Sequence, residues 1–263
     1  MNILETIVAT KQTEVALAKQ QTAIAELQQM PFFNRNTISL KSILQNGNTS
    51  GIIAEFKRKS PSKGIINVTA DVVTVTNAYA KYAAGISVLT DASFFGGSFK
   101  DLQQARIQPV PILRKDFMID AYQVYEAKAI GADVILLIAA CLTPQQVKEL
   151  ATVAKQLGLE VLLEIHGTEE LQHICAEVDM VGVNNRNLKT FEVNIQTSLH
   201  LIAKIPDDKI AITESGISSI ESIQQLKLAG FKGFLMGENF MKHTSPGIAF
   251  TQFVHQLNSE LCG

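Results

Sequence analysis

This sequence predicts an α/β fold: a closed (β/α)8 barrel of the TIM type with an N-terminal helical extension. Eight short apolar runs alternate with helix-like segments. The spacing between runs, roughly 20 to 35 residues, is about that of one βαβ element. Polar and charged residues gather just after nearly every run, and the 263 residues match the ~250 of a typical single barrel.

Residues 1–48 read as a helical extension packing on the barrel and 49–263 as the catalytic barrel, one domain overall. From Ile3 to Met30 apolar residues recur at helical spacing (Ile3, Ile7, Val15, Ala18, Ile24, Leu27), until Pro31 stops the pattern. A connection runs from Ser39 to Asn48, where Asn46-Gly47-Asn48 reads as a turn. The strands follow as Gly51–Ala54, Ile86–Leu89, Val110–Leu113, Val134–Ile138, Glu160–Leu163, Met180–Val183, Ile210–Thr213 and Phe234–Met236. Such near-continuous apolar runs suit parallel strands buried on both faces. Helices are expected at Tyr122–Ile130, Thr143–Leu157, Thr168–Glu177 and Ser219–Leu228; Gly131, Gly158 and Gly230 stand where a left-handed cap favours glycine. An open doubly wound sheet shares this alternation, but EFKRKSPSKG follows the first strand where that fold usually carries G-x-G-x-x-G.

Lys and Arg total 23 against 25 Asp and Glu, a net charge of −2, which leaves no electrostatic footprint for nucleic acid. No apolar run approaches the ~18 residues of a membrane span. The opening MNILETIVATKQTEV lacks a basic stretch ahead of an apolar one, so the chain reads as cytoplasmic, without a membrane partner. Cys141, Cys175 and Cys262 are widely spaced and form no C-x-x-C, so neither a disulfide framework nor a zinc cage is expected.

Functional groups of such barrels collect at the C-terminal strand ends. Glu55 and Lys57, two apart on the first strand, share a face and form a candidate acid/base or substrate-clamping pair. Lys115 and Phe117 follow the third run, Glu164 and His166 the fifth, Asn184 and Arg186 the sixth, and Glu214 the seventh. Glu164 and His166 resemble half a metal site, but no second His or Asp stands at a matching spacing, so no metal is expected. The Ser215-Gly216 turn and Gly237 with Glu238 lie after the two strands whose loops commonly cradle phosphate on backbone amides. Ser60 can add a hydroxyl there and Lys57 a charge. Glu55, Glu164 and Glu214 balance Lys57, Lys115 and Arg186, so an anionic ligand must be met largely by backbone dipoles and local asymmetry. Phe94-Phe95-Gly96-Gly97-Ser98 reads as a Gly-hinged loop carrying aromatics over the mouth. His173, His200, His243 and His255 read as surface or packing residues.

The strings IIAEFKRKSPSKG, ISVLTDASFFGGS, ILRKDF, ADVILLIAA, LLEIH, VGVNNRNLKTFEV, TESGI and FLMGENFM together resemble the indole-3-glycerol phosphate synthase family of tryptophan biosynthesis, in order from about Gly51 to Lys242. The resemblance implies a lyase that converts 1-(2-carboxyphenylamino)-1-deoxyribulose 5-phosphate, an anionic sugar phosphate, to indole-3-glycerol phosphate, CO2 and water without a cofactor. It implies that Lys115 is the general acid, that Lys57 holds the substrate carboxylate and acts in dehydration, and that Glu164 is the general base or acid-base partner. Glu55 would orient and neutralise the lysines, and Asn184 with Glu214 would position polar groups of the substrate. Arg186 and Leu188 match residues beside the ring, with Phe95 and Phe117 as apolar walls. Ser60, Ser215, Gly216, Gly237 and the backbone of Glu238 match the phosphate site. The resemblance also implies that the helical preface packs across the mouth. Asn187, Gly167, Gly96 and Asn239 depart from the family's usual residues without removing a group that has a chemical role.

Other readings stay open on sequence. A Schiff-base aldolase would use Lys57 or Lys115, although such barrels usually carry the lysine on the sixth strand. The sibling phosphoribosylanthranilate isomerase needs a Cys that does not end the first strand here. A barrel that only binds a phosphorylated metabolite would keep every group named. Oligomeric state and association with other tryptophan-pathway enzymes are also left open.

Overall fold

In the computed structural model, which describes residues 3–188 and 190–261, eight parallel strands close into a barrel. They are β1 (Ile52–Phe56), β2 (Gly85–Leu89), β3 (Ile112–Lys115), β4 (Val134–Ile138), β5 (Glu160–Ile165), β6 (Met180–Asn184), β7 (Ile210–Glu214) and β8 (Gly233–Met236). The ring closes where β1 pairs with β8, Ile53 opposite Leu235. Each of the eight apolar runs contributes a strand, but Gly51, Val110 and Pro111 fall outside theirs and several strands reach further than the runs themselves. Glu55, Lys115, Glu164, Asn184 and Glu214 lie inside strands, opposite Ser87, Leu89, Ile138, Glu214 and Asn184 in register. The ladder bonds are made by the backbone and are indifferent to a charged side chain. These five residues are therefore fixed by the sheet rather than held on loops.

Three helices, α1 (Ile3–Gln21), α2 (Ile24–Leu27) and α3 (Leu40–Asn46), precede β1. The barrel helices are α4 (Val72–Tyr79), α5 (Phe99–Ala105), α6 (Ala121–Ile130), α7 (Pro144–Gln156), α8 (Gln196–Leu201), α9 (Ile220–Ala229), α10 (Glu238–Met241) and α11 (Pro246–Leu261). No described helix is long and apolar enough to cross a membrane. Cys141 and Cys175 are free thiols; Cys262 lies outside the described residues.

Three expectations need correction. The pattern from Ile3 to Met30 is not one helix, because Ala23 is extended and its N–H is taken by the Glu26 carboxylate at 2.7 Å. The connection Ser39–Asn48 contains α3, capped by Ser39 at its start and by left-handed Gly47 at its end. Its Leu40 and Leu44, one turn apart, sink into the barrel's interior cluster with Ile53, Val134 and Ile212. Thr168–Glu177 forms only a 3-10 segment, Thr168–His173. There the Glu170 carboxylate turns back to accept from the His166 N–H at 2.6 Å, and His173 is buried with both ring nitrogens on main-chain carbonyls.

Two-residue alternation builds the barrel's interior in layers. Ile53, Leu113, Leu136, Leu162, Ile212 and Leu235 fill the middle, with Leu40 and Leu44 in the same cluster. Two residues further along their strands stand Glu55, Lys115, Ile138, Glu164, Glu214 and, just past β8, Gly237. The same periodicity thus makes an apolar floor and a polar mouth. A second apolar layer, including Val88, Val161, Val181 and Phe234, packs the outer face of the sheet against the helices.

At the opposite end, fully buried Asp133 accepts from Arg35 at 2.6 Å, from Arg106, and from the Ile38 and Ile112 amides at 2.8 Å each. Asp133→Ala leaves Arg106 buried without its carboxylate and is expected to cost about 3–5 kcal/mol. Urea unfolding of the variant beside the wild type measures that loss; a change under about 1 kcal/mol would show that the cluster carries no net stability.

Candidate active site at the barrel mouth

A cavity partly open to solvent lies at the C-terminal end of the strands. Every sequence candidate faces it: Glu55, Lys57, Ser60, Phe95, Lys115, Phe117, Glu164, Asn184, Arg186, Leu188, Glu214, Ser215, Gly216, Gly237 and Glu238. The candidates are therefore one constellation rather than scattered rim charges.

Lys115 sits at its centre, 2.9 Å from Glu164 and 2.6 Å from Glu214. Burial opposes its charge, but the attraction of Glu164, Glu214 and Glu55 is greater and holds the ammonium's pKa above the usual lysine range. Lys57, the first residue past β1, bonds Glu55 at 2.6 Å.

Glu164 is the best-supported carboxylate. Burial favours its neutral form, yet Lys115, His166 and Asn184 outweigh burial and keep its pKa well below the usual range. Asn184 donates to Glu164 Oε1 at 3.0 Å. His166 lies behind, 3.2 Å from Glu164 and 3.2 Å from Glu170. Burial disfavours the imidazolium, but the two carboxylates raise its pKa to about 10. His166 thus serves Glu164 as a fixed positive partner.

Glu214 behaves in the opposite way. Burial and the nearby Glu164 push its pKa up to about 7, against the pull of Lys115. Its Oε2 is taken by Lys115, while buried Oε1 has no hydrogen-bond partner among the described residues. A carboxyl whose pKa rises on folding adds stability that is full below its unfolded pKa of about 4.5 and is lost as pH rises through about 7. Glu214→Gln does not titrate. Between pH 5 and 8 it is expected to gain about 2 kcal/mol relative to wild type, read from urea unfolding at each pH. A parallel pH dependence in the two proteins would mean that Glu214 is ionised throughout.

Backbone geometry shapes the other side of the mouth. Ser215 and Gly216 both have left-handed φ, +67° and +74°. A Cβ on Gly216 would stand 2.3 Å from Val193, and one on Gly237 would stand 2.7 Å from the Glu55 carboxylate. Only glycine lets the backbone pass so close to these side chains. Glu238 and Asn239, which open α10, line the cavity, and the first amides of a helix have no acceptor within it. Arg186 and Glu238 stand 3.9 Å apart.

Phe95 and Phe117 pack together at the mouth, ring centroids 5.9 Å apart and planes tilted by 37°. The resemblance placed the helical preface across the mouth, but sequence reasoning did not single out Ile3, Leu4 and Ile7 of α1 as site residues, and all three line the same cavity. It also missed Lys11, buried on that helix beside Asp91 and Asp116. A signal was present: Ile7, Lys11 and Val15 are spaced four apart and form the buried stripe of α1. A lysine within such a stripe must meet a buried partner.

The family model for indole-3-glycerol phosphate synthase matches residues 4–256. A protein of that name from Bacteroides thetaiotaomicron is 49% identical over 258 residues, covering 97% of this chain and 99% of the relative. Another, from Polynucleobacter necessarius, is 44% identical over 262 residues, covering 95% and 98%. Among solved structures, a chain of the tryptophan synthase complex of Pyrococcus furiosus superposes with a TM-score of 0.59 at 17% identity, covering 79% of this chain and 97% of that one. A mandelate oxidase superposes with a TM-score of 0.61 at 12% identity, covering 80% and 72%. These two likenesses speak only to the fold. With its matched family model, its relatives and its barrel architecture, this chain belongs to the indole-3-glycerol phosphate synthase family, lyases of tryptophan biosynthesis.

Proposed function

We propose that the mouth residues turn 1-(2-carboxyphenylamino)-1-deoxyribulose 5-phosphate into indole-3-glycerol phosphate by lysine and glutamate acid-base catalysis. The observation that carries this reading is one lysine, Lys115, held between two buried glutamates at 2.9 and 2.6 Å in the same cavity as a glycine-lined turn. We also take residues 1–48 as an extension and 49–263 as the catalytic barrel, a division supported by the closure of β1 onto β8.

In ring closure the aryl carbon that bears the carboxylate attacks the ketone carbon, and the ketone oxygen takes a proton from Lys115. A charged donor near that oxygen lowers the barrier most in a site largely shielded from water. The C–CO2 bond then breaks, and its electron pair restores the aromatic ring. In dehydration the hydroxyl leaves as water with a proton from a lysine, while Glu164 accepts the proton lost from the adjacent carbon. The low pKa of Glu164 keeps it ionised for that role. Lys57, paired with Glu55, holds the substrate carboxylate and stands as the second acid.

Asn184 and the unpartnered oxygen of Glu214 receive the sugar hydroxyls. Arg186, Leu188, Phe95 and Phe117 flank the aryl ring. Ser60, Ser215, Gly216, Gly237 and the backbone of Glu238 take the phosphate, which helix-opening amides and a small turn meet without a countercharge.

Mixing protein with the carboxyphenylamino deoxyribulose phosphate tests the reading directly. Indole fluorescence should grow with time. Binding without fluorescence would mean a barrel that only holds a phosphorylated metabolite, and substrate trapped on the protein by borohydride would mean a Schiff-base reaction instead.

A further inference from the structure

Lys11 is the one charged residue on the buried stripe of α1, with Ile7 and Val15 a turn to either side. Its ammonium lies 2.9 Å from Asp91, 3.0 Å from Asp116 and 2.7 Å from Glu14, and its side chain is 5% exposed. Asp91 follows β2 and Asp116 follows β3, so one cation from the extension joins two adjacent strand ends. Asp116 is also braced from behind by Thr90 at 2.6 Å and Arg114 at 3.1 Å.

Each carboxylate has a second task. Asp91 Oδ1 accepts from the Phe94 and Phe95 amides at 2.6 and 3.0 Å. Asp116 Oδ1 accepts from the Phe117 amide at 2.9 Å. The same ammonium therefore ties down the backbone of both aromatic walls and the helix that brings Ile3, Leu4 and Ile7 over them. Glu14 extends the tie, accepting from Ser93 at 3.1 Å in the loop that carries Phe95. Burial works against a charged lysine here, and the carboxylates reverse it, holding its pKa above the usual range.

We propose that Lys11 is a positioning residue for the aryl end of the substrate site, locking α1 and the Phe95 and Phe117 backbones into one wall through Asp91 and Asp116. Its link to the aryl group rests on the functional reading above. Its link to the wall does not.

Lys11→Met removes the charge and keeps the stem that packs in the stripe. KM for the carboxyphenylamino substrate should rise about tenfold or more while kcat falls less than about threefold, since binding geometry rather than proton transfer is lost. The inhibition constant of inorganic phosphate, which needs only the amide cradle, should stay within about twofold. Hydrogen exchange at the Phe94, Phe95 and Phe117 amides should quicken about tenfold or more, with the β4 amides unchanged. Lys11→Arg should restore KM to within about threefold of wild type.

Unchanged KM and unchanged exchange in Lys11→Met would overturn the proposal. So would equal losses of phosphate and substrate binding with faster exchange throughout the barrel, because that pattern marks a merely structural residue. Should Lys11→Met fail to fold, Asp91→Asn carries the same readouts: faster exchange confined to Phe94 and Phe95 supports the proposal, and none overturns it. A wild type that forms no indole product refutes the functional reading alone, and the exchange measurements, made without substrate, still decide this one.

Discussion

Lys115→Ala is expected to lower kcat by about 10^3-fold or more while moving KM less than about tenfold, because a general acid and oxyanion stabiliser helps chiefly in the transition state. The side chain is held from two directions, by Glu164 and Glu214, so its ammonium is aimed before substrate arrives. Deleting it also leaves those carboxylates close together with no cation between them. They can share a proton, as crowded buried carboxylates do, so the variant should remain folded. Single-turnover indole fluorescence separates the two effects: the bound substrate should react slowly, not fail to bind. A variant that loses affinity and keeps its rate would transfer Lys115 from catalysis to binding.

Glu164→Gln should cost about 10^2- to 10^4-fold in kcat, the usual worth of a positioned general base. The amide keeps the shape of the carboxylate, and its oxygen can still accept from Lys115 or Asn184. What disappears is the ability to take a proton. Two further consequences follow from the pair's mutual support. With one carboxylate gone, less attraction holds the proton on Lys115, and its pKa should fall. His166, whose charge is held by Glu164 and Glu170, should titrate at lower pH than about 10, visible in the imidazole proton resonances. A Glu164→Gln enzyme with wild-type turnover would mean that another group accepts the proton, and Glu214 is the only other carboxylate bonded to Lys115 among the described residues.

Much of the site was legible because its logic is local. Glu55 and Lys57 sit two apart, and strand parity alone sends both to one side; the structure brings them to 2.6 Å. Glycines after the last two strands were legible for a similar reason, since their approach to Val193 and Glu55 leaves no room for a Cβ. Strand ends were read short, because apolar runs stop where the polar mouth begins although the ladder continues. Helix α3 went unread despite Leu40, Ile43 and Leu44 at helical spacing, since seven residues look like a connection until a barrel floor exists to receive them. The Thr168–Glu177 pattern failed for the converse reason: Glu170 and His173 spend their side chains on His166 and on main-chain carbonyls, and that local bonding competes with the α-helical ladder.

Periodicity and the order of residue types along the chain were enough to predict the barrel, its eight strands and the mouth positions of Glu55, Lys115, Glu164 and Glu214, because alternation within a few neighbours sets each strand and its faces, while Leu188 came from the family resemblance. Folding in three dimensions decided the rest. It set which carboxylate is ionised, since Glu164 gains Lys115, His166 and Asn184 while Glu214 gains burial and a like charge. It also set Asp91 and Asp116 beside Lys11, although they stand 80 and 105 residues away along the chain. Electrostatic energy depends on distance through space and on exclusion of water, and neither is written in the spacing of a strand or a helix.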